Sequence, residues 1–405
     1  MILPLAGRPS APRATPVKAM NRLAALLVLV VLSLKQVFDS LDGLLSHPGY
    51  SDFGSYYLYA RVGLHHGWSA LYDLAVQRQE WVAMGGAPVI PWWPIIYPPP
   101  LAWLAAPFTL VPLPVAHAIW TALLFGLILL TWQLLISPAT ALTRWTALAA
   151  AFAIYPVMFA LVLGQVLLVE LAAVAGAWWC LQRRRDVLAG LLLVALVFKP
   201  QVAFLVPVAL LATGRWKTFV SWLGGSVIVA AVALLTTGPD GIHAYASRLQ
   251  SAAGVPPEFV VPTYLTLEGT LGHGLLARAV EVAVAGLTIA IAYRYRRTGV
   301  SIPIAAALVG SIVITPYLHQ QDQATLLVAG ALALRAGVTS WPRHLLVAGY
   351  LLLVAISYFG PFGGFLGPAL LIILLAWLGV VLAASYSRGG GAQRRLRPVP
   401  VDGLA

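Results

Sequence analysis

The sequence is a near-unbroken succession of apolar runs, and that succession leaves few folds open. Runs occur at Leu23–Phe38, Leu101–Val111, Pro114–Ile136, Trp145–Leu163, Val166–Leu181, Val187–Phe198, Val202–Ala212 and Thr218–Leu235, then at Leu275–Tyr293, Ile302–Tyr317, Ala324–Leu334, Leu345–Tyr358 and Pro368–Ala384. In hydrocarbon every backbone polar group needs an internal partner, so only helices and closed barrels cross a bilayer. The runs are continuous and lack the period-two alternation of barrel strands, which excludes a β-barrel. Only 9% of the 405 residues are charged, against roughly 25% in soluble domains. The expected class is therefore an all-α polytopic membrane protein.

The net charge of +12 does not call for a nucleic-acid partner, because its distribution has a simpler cause. Nineteen of the 25 basic residues fall in segments assigned to one side, leaving Lys35, Arg61, Arg78, Lys199, Arg248 and Arg278 elsewhere. That is the positive-inside bias. It makes cytoplasmic the clusters Arg183–Arg185, Arg215 with Lys217, Arg294 with Arg296 and Arg297, Arg335 with Arg343, and Arg388 to Arg397. Five turns then lie outside: Gly164-Gln165, Lys199-Pro200-Gln201, residues 236–273, Tyr317–Asp322 and Tyr358–Pro368. The acids agree, with Asp186 and Asp402 inside and nine outside. Twelve crossings satisfy this parity if Pro98–Val111 is re-entrant or interfacial.

Residues 1–22 and 386–405 are expected as cytoplasmic tails flanking a transmembrane domain over 23–385, with 39–97 as its first external loop. The run from Leu23 follows four basic residues but no small-residue cleavage site, so it reads as an uncleaved first span. Cys180 stands alone, which excludes an intrachain disulfide and a cysteine metal cage.

Polar chemistry concentrates in a few places. The stretch from Tyr50 to Pro100 is half polar and rich in aromatics; Asp52 opens a helix in it, with Tyr56, Tyr59 or Ala60, and Gly63 following on one face. Asp52 reads either as a plain N-cap or as a general base at the membrane surface with tyrosine walls. Lys199 interrupts two apolar half-helices. It either snorkels to the headgroups or meets an anionic ligand at membrane depth. Gln165 lies in a turn at comparable depth. In the Thr315–Asp322 turn, His319 is an ordinary loop histidine or holds an anionic headgroup, and Asp322 is placed to cap the next helix. Glu170 and Glu281 sit inside apolar runs and are expected to face protein or a cavity. His65-His66 has no acid at i+4, and adjacent helical histidines diverge, so no metal site is expected. No Gly-x-x-x-x-Gly-Lys-[Ser/Thr] phosphate loop, Gly-x-Gly-x-x-Gly or Asp-x-Asp occurs; any donor is expected to arrive through the membrane.

Taken together, Asp52-Phe53 with Tyr56-Tyr57, Leu71-Tyr72-Asp73, Tyr97-Pro98-Pro99, Trp120, Gly164-Gln165, Lys199-Pro200-Gln201 and Thr315-Pro316-Tyr317 with Asp322 resemble glycosyltransferase family 87. These are integral-membrane enzymes of the GT-C type, related to actinobacterial polyprenol-phosphate-mannose-dependent α-mannosyltransferases. Where that branch often has a His-rich turn, this chain has His319-Gln320-Gln321-Asp322. The resemblance implies a GT-C fold, a polyprenyl-phosphate sugar donor, most readily mannose, and a lipid or glycan acceptor on the outer face of the cytoplasmic membrane. It places the base on Asp52. A polyprenyl phosphate leaves without protonation, unlike a glycosidase aglycone, so one base and one cation suffice for inversion. Lys199 is the expected cation. Gln201, Gln165, His319 and Asp322 are expected to bind substrate, with Tyr56, Tyr57 and Tyr97 stacking on sugar or lining a prenyl groove. No cofactor is expected, and a divalent ion is left open. A transporter for lipid-linked sugars is the alternative class; it calls for inverted repeats and midplane charges.

Overall fold

The computed structural model describes residues 16–46, 51–86, 96–136, 140–253, 266–272, 274–338, 340–359 and 365–387. Among them every regular element is helical. The parts of the two expected tails at 1–15 and 388–405, Tyr50 and Ile95, and parts of the loops at 236–273 and 358–368 lie outside these residues, while 16–22 and 386–387 are helical.

Helix α1, Pro16–Ser46, continues past the expected end of its span, with Lys35 and Asp39 pairing one turn apart at 2.5 Å. The first loop then folds into α2 (Asp52–His66), a short turn at Trp68–Ala70, and α3 (Leu74–Ala83), which Asp73 caps. Helix α4, Pro100–Ala105, runs on as a tight turn over Ala106–Leu110. At about 1.5 Å per residue this piece covers about 16 Å of a ~30 Å hydrocarbon layer.

Helix α5 covers Leu113–Leu135. The expected single span Trp145–Leu163 is instead α6 (Ala141–Phe152) and α7 (Tyr155–Leu163), bent by 67°. Pro156 is the cause: it has no N–H to continue the ladder, and the neighbouring amide of Tyr155 is satisfied by the Ser357 hydroxyl at 2.9 Å. Helices α8 (Leu167–Gln182), α9 (Asp186–Leu193, extended by a tight turn to Val197) and α10 (Leu205–Ala212) follow. Helix α11, Trp216–Ala253, breaks at Gly238, whose φ of 67° precedes Pro239. The start of the expected loop at 236–273 is thus helical, because proline is well tolerated in a first helical turn.

The remainder is α12 (Leu267–Leu271), α13 (Leu275–Tyr295), α14 (Ser301–Ile314), α15 (Thr325–Arg335), α16 (Trp341–Phe359) and α17 (Leu366–Ser387). Six helices, α1, α5, α11, α13, α16 and α17, are long and apolar enough to cross a membrane, or seven spans if the α6–α7 pair counts as one. Their apolar side chains are widely exposed, among them Leu123, Val227, Val282 and Ile372, as expected where lipid is the outer solvent. Shorter helices fill the centre: Ile302–Val313 of α14 is buried throughout, and α8 is mostly buried. The protein is thus a helical membrane protein with short helices inside longer ones.

Helix direction gives the bundle two chemically different ends. Helix α8 starts beside Gln165 and finishes at Arg183, and α9 starts after Arg185 and returns to Lys199. Helix α10 follows Lys199 and ends before Arg215, α14 follows Arg297 and ends before His319, and α15 follows Asp322 and ends at Arg335.

Candidate active site

Three chain breaks and one helix start meet at the polar end. Gly164 closes α7 with φ of 71°; a Cβ there would lie 2.7 Å from the Cβ of Phe53. Trp120 fixes the turn by donating from Nε1 to the Gly164 carbonyl at 2.8 Å, so Gln165 is aimed at α2. Pro200 drives Lys199 out of the helical region, to φ −146° and ψ 67°. Pro316 likewise ends α14 with Thr315 extended.

Asp52 is the first residue of α2, and Ser51 is the cap: its hydroxyl accepts from the Gly54 amide at 3.0 Å. The N-cap reading of Asp52 is therefore overturned, because a serine one position earlier meets that need. The Asp52 carboxylate accepts instead from Gln165 Nε2. The other end of the same amide, Gln165 Oε1, accepts from Lys199 Nζ at 3.4 Å, and Lys199 also donates to Asp322 Oδ1. The second Asp322 oxygen caps the backbone N–H of His319 at 3.1 Å, whose ring bonds the Tyr317 hydroxyl. A continuous chain of polar contacts runs Asp52–Gln165–Lys199–Asp322–His319–Tyr317, drawing together residues as distant in sequence as Asp52 and Asp322.

The snorkelling reading of Lys199 does not hold. The side chain is 1% exposed and ion-paired with Asp322, itself 0% exposed. Burying a charge is costly unless it is paired and hydrogen-bonded, and Asp322 and Gln165 meet that requirement. Glu170 stands behind them, fully buried, accepting from the Lys199 backbone N–H at 2.5 Å. The break at Pro200 orphans that amide, and Glu170 replaces the lost helical partner.

Asp52 keeps a partly open surface, yet the protein crowds it closely. Burial pushes its carboxyl up to about 6, against the pull of the Lys199 charge and the Gln165 amide; Asp322 adds to the rise. Burial, with the Lys199 charge, brings His319 down to about 4, offset in part by Asp322. Both groups thus stand far from their ordinary values.

The tyrosines divide. Tyr97 stands edge-on to Tyr56 at 5.1 Å, and Tyr59 and Tyr72 both donate to the Tyr97 carbonyl, at 3.0 and 2.9 Å. Tyr72 in turn stacks on Tyr245 of α11 at 4.6 Å. Tyr57 points away, its hydroxyl donating to the Val111 carbonyl at 2.9 Å, so it ties α2 to the end of the turn that follows α4. Gln201, half-buried in the turn after Lys199, has no bond to the chain of contacts among the described residues.

Two further expectations change. His65 and His66 converge: Nδ1 of one and Nε2 of the other lie 2.9 and 3.1 Å from the same Glu80 oxygen, while Arg61 holds the second oxygen at 2.9 Å. The acid comes from α3, which spacing along α2 alone does not reveal. No group able to hold a metal ion occurs among the described residues. Glu281 sits near the start of α13, paired with Arg278 at 3.3 Å.

The fold is a polytopic helical bundle, and a carboxylate–amide–ammonium chain of contacts joins its first loop to the breaks at Gln165 and Lys199. The sequence profile of glycosyltransferase family 87 matches residues 95–319, more than half of the chain, and the protein belongs to that family. It is a glycosyltransferase. The matched segment contains Gln165, Glu170, Lys199 and His319, and the bonds above tie Asp52 and Asp322 to it. Neither curated proteins nor solved structures give a match to the chain.

Proposed function

We propose that the protein is an inverting hexosyltransferase that moves a sugar, mannose by the resemblance, from a polyprenyl phosphate to a lipid or glycan acceptor. Asp52 is the base. It takes the proton of the acceptor hydroxyl as that oxygen attacks the anomeric carbon, and the sugar–phosphate bond breaks with its electron pair going to the phosphate. The observation that carries this reading is the Gln165 amide, which links Asp52 to Lys199 and so sets base and cation side by side. Gln165 aims the carboxylate, and Lys199 supplies the positive field for the departing phosphate, with Asp322 holding its ammonium in place. At about 6 Å and an effective dielectric near 20, one such charge contributes about 3 kcal/mol to a developing anion. Tyr56 and Tyr97 stand beside Asp52, and Tyr317, bonded to His319, lies near both Asp52 and Tyr97. Gln201 and Tyr57 support these elements.

The basic end of the bundle faces the cytoplasm by the positive-inside rule, which turns the site toward the periplasm or exterior of a cytoplasmic membrane. If α6–α7 and the short helices α8, α9, α10, α14 and α15 cross along with the six long ones, the total is twelve, in a GT-C arrangement. A crossing by helices this short requires a locally thinned bilayer. Against the transport reading, one oxygen of Glu170 holds the Lys199 backbone N–H and Glu281 pairs with Arg278.

The test is to supply purified protein with radiolabelled polyprenyl-phosphate sugars and extracted membrane lipids, and to identify the labelled product. A glycosylated lipid or glycan formed by the wild type and lost in Asp52→Asn supports the assignment. Undiminished transfer by Asp52→Asn removes the base role, and transfer from nucleotide sugars alone removes the polyprenyl donor.

A further inference from the structure

At the end of the bundle remote from Asp52, the turn between α8 and α9 and the start of α11 enclose an open groove of about 450 Å³. Arg184, Arg185 and Lys217 line it together with Asp186, Val187, Leu188 and Leu191. Helix α8 has 16 residues, which at ~1.5 Å each puts about 24 Å between this groove and Gln165. It is therefore separate from the site above.

The charges are uneven. Asp186 is taken up by Arg215 at 3.3 Å and by the Thr218 hydroxyl at 3.4 Å. Arg183 lies over the Trp179 ring at 3.7 Å. Arg184 and Arg185 have no hydrogen-bonding or ionic side-chain partner among the described residues, and Lys217 only lies over the Trp216 ring at 5.8 Å. Three cations thus line the groove beside one acid, Asp186, whose charge is already paired with Arg215. Below them Val187, Leu188 and Leu191 are exposed and apolar.

Backbone geometry shows that this placement is not neutral. Arg184 has φ of 57°, a left-handed conformation that favours glycine. The turn after α10 has the same closure, with the same two bonds back into the helix, and uses Gly214 at φ 83° for it. The chain accepts an unfavourable backbone at position 184 and gains a cation at the groove mouth. On the other wall, Gly190 lets α9 approach α11 so closely that a Cβ would lie 2.3 Å from the Thr218 carbonyl, which brings Lys217 over the groove.

We propose that this groove is a binding site for an anionic phospholipid of the adjoining leaflet. Its phosphate sits among Arg184, Arg185 and Lys217, and an acyl chain lies along Val187, Leu188 and Leu191. A lipid is the occupant the charges and the wall fit together: a soluble anion would leave the apolar side bare, and a zwitterionic headgroup would bring its own cation among three others. Basic pockets between membrane helices recognise anionic headgroups by this combination.

The experiment uses the full-length protein in detergent, titrated with dioleoylphosphatidylglycerol or dioleoylphosphatidylcholine and read by native mass spectrometry. The wild type is expected to retain the phosphatidylglycerol at least about tenfold more tightly, and Arg184→Ala/Arg185→Ala/Lys217→Ala to lose about a hundredfold. Arg184→Gly relieves the left-handed strain, so it keeps the thermal midpoint while still weakening lipid retention. Arg297→Ala, on another turn of the basic end, is expected to bind as the wild type does. The proposal is overturned by equal retention of the choline lipid, by undiminished binding in the triple variant, or by displacement of the lipid by inorganic phosphate at equal concentration. Preferential capture of a polyprenyl phosphate over the phosphatidylglycerol overturns it as well.

Discussion

If Asp52 is the base and Lys199 acts on it through Gln165, replacing Lys199 must move the pH dependence of transfer in a known direction. Lys199 Nζ lies 3.4 Å from Gln165 Oε1, and the opposite end of that amide bonds Asp52. The width of an amide puts the charges on the order of 7 Å apart, where an effective dielectric of about 20 gives about 2.4 kcal/mol. Asp52 is partly open to solvent, so screening reduces this to about 1.4 kcal/mol, or about one pH unit.

The sign is fixed by the chemistry. The active form is the carboxylate, so kcat/KM for the donor, which reports the free enzyme, is full at high pH and falls as pH drops through about 6. Lys199 holds the carboxyl down; in Lys199→Gln the midpoint rises toward about 7. Asp322→Asn acts oppositely, because Asp322 raises the Asp52 carboxyl and shares the Lys199 charge; there the midpoint falls. The assay is initial-rate transfer from labelled polyprenyl-phosphate mannose between about pH 4.5 and 8.5. Displacement of both variants in one direction, or no displacement in either, refutes electrostatic coupling through Gln165.

Asp52→Asn should lower kcat by about 10²- to 10⁴-fold with the thermal midpoint held, since Ser51 and not Asp52 caps α2; a collapsed midpoint would return the residue to a structural role. Gly164→Ala should destabilise by about 2–4 kcal/mol, because it strains a φ of 71° and meets the Phe53 Cβ; chemical denaturation measures it, and a neutral result contradicts the close approach. Glu80, which burial raises but His65, Arg61 and His66 bring down to about 2, stabilises the fold above its ordinary value near 4.5, and that contribution disappears as pH falls through about 2. Glu80→Gln should cost about 1 kcal/mol at pH 7, given partly exposed partners, and faster hydrogen exchange at the α2–α3 junction is the readout.

The elements that define the site were legible where one residue type forces a break. Pro200 after Lys199 and Pro316 after Thr315 are visible as letters, and each ends a helix at the polar end. Asp52, Gln165, Lys199, His319 and Asp322 were legible as polar residues in apolar surroundings, which lipid makes conspicuous. What each would touch was not. A sequence shows that Lys199 is a cation at membrane depth, but not that an acid 123 residues onward neutralises it. The convergence of His65 and His66 on Glu80 was hidden for the same reason, since the acid belongs to a different helix. The Asp52 cap reading failed by one position: a serine precedes the aspartate, and either residue type makes a good cap. The α6–α7 bend went unread because Pro156 lies within an otherwise continuous apolar run.

The pairing of Lys199 changes how its charge enters the proposed reaction. With Asp52 and Asp322 ionised, Lys199 faces two carboxylates, and little of its field is left for a substrate phosphate. As the acceptor hydroxyl attacks, its proton passes to Asp52 and quenches that negative charge, while the leaving phosphate gains one. The total charge of the site is unchanged, but its negative pole moves from the base to the phosphate. Lys199, held in place by Asp322 and by the backbone contact with Glu170, thereby turns from stabilising the base to stabilising the product. Because the ammonium need not travel, no solvation is rebuilt during the step, which is the condition under which a fixed charge is most effective in catalysis. On this view Asp322 is a positioning residue: its replacement should lower kcat more than it alters KM for the donor, whereas loss of a residue that only bound the phosphate would raise KM alone.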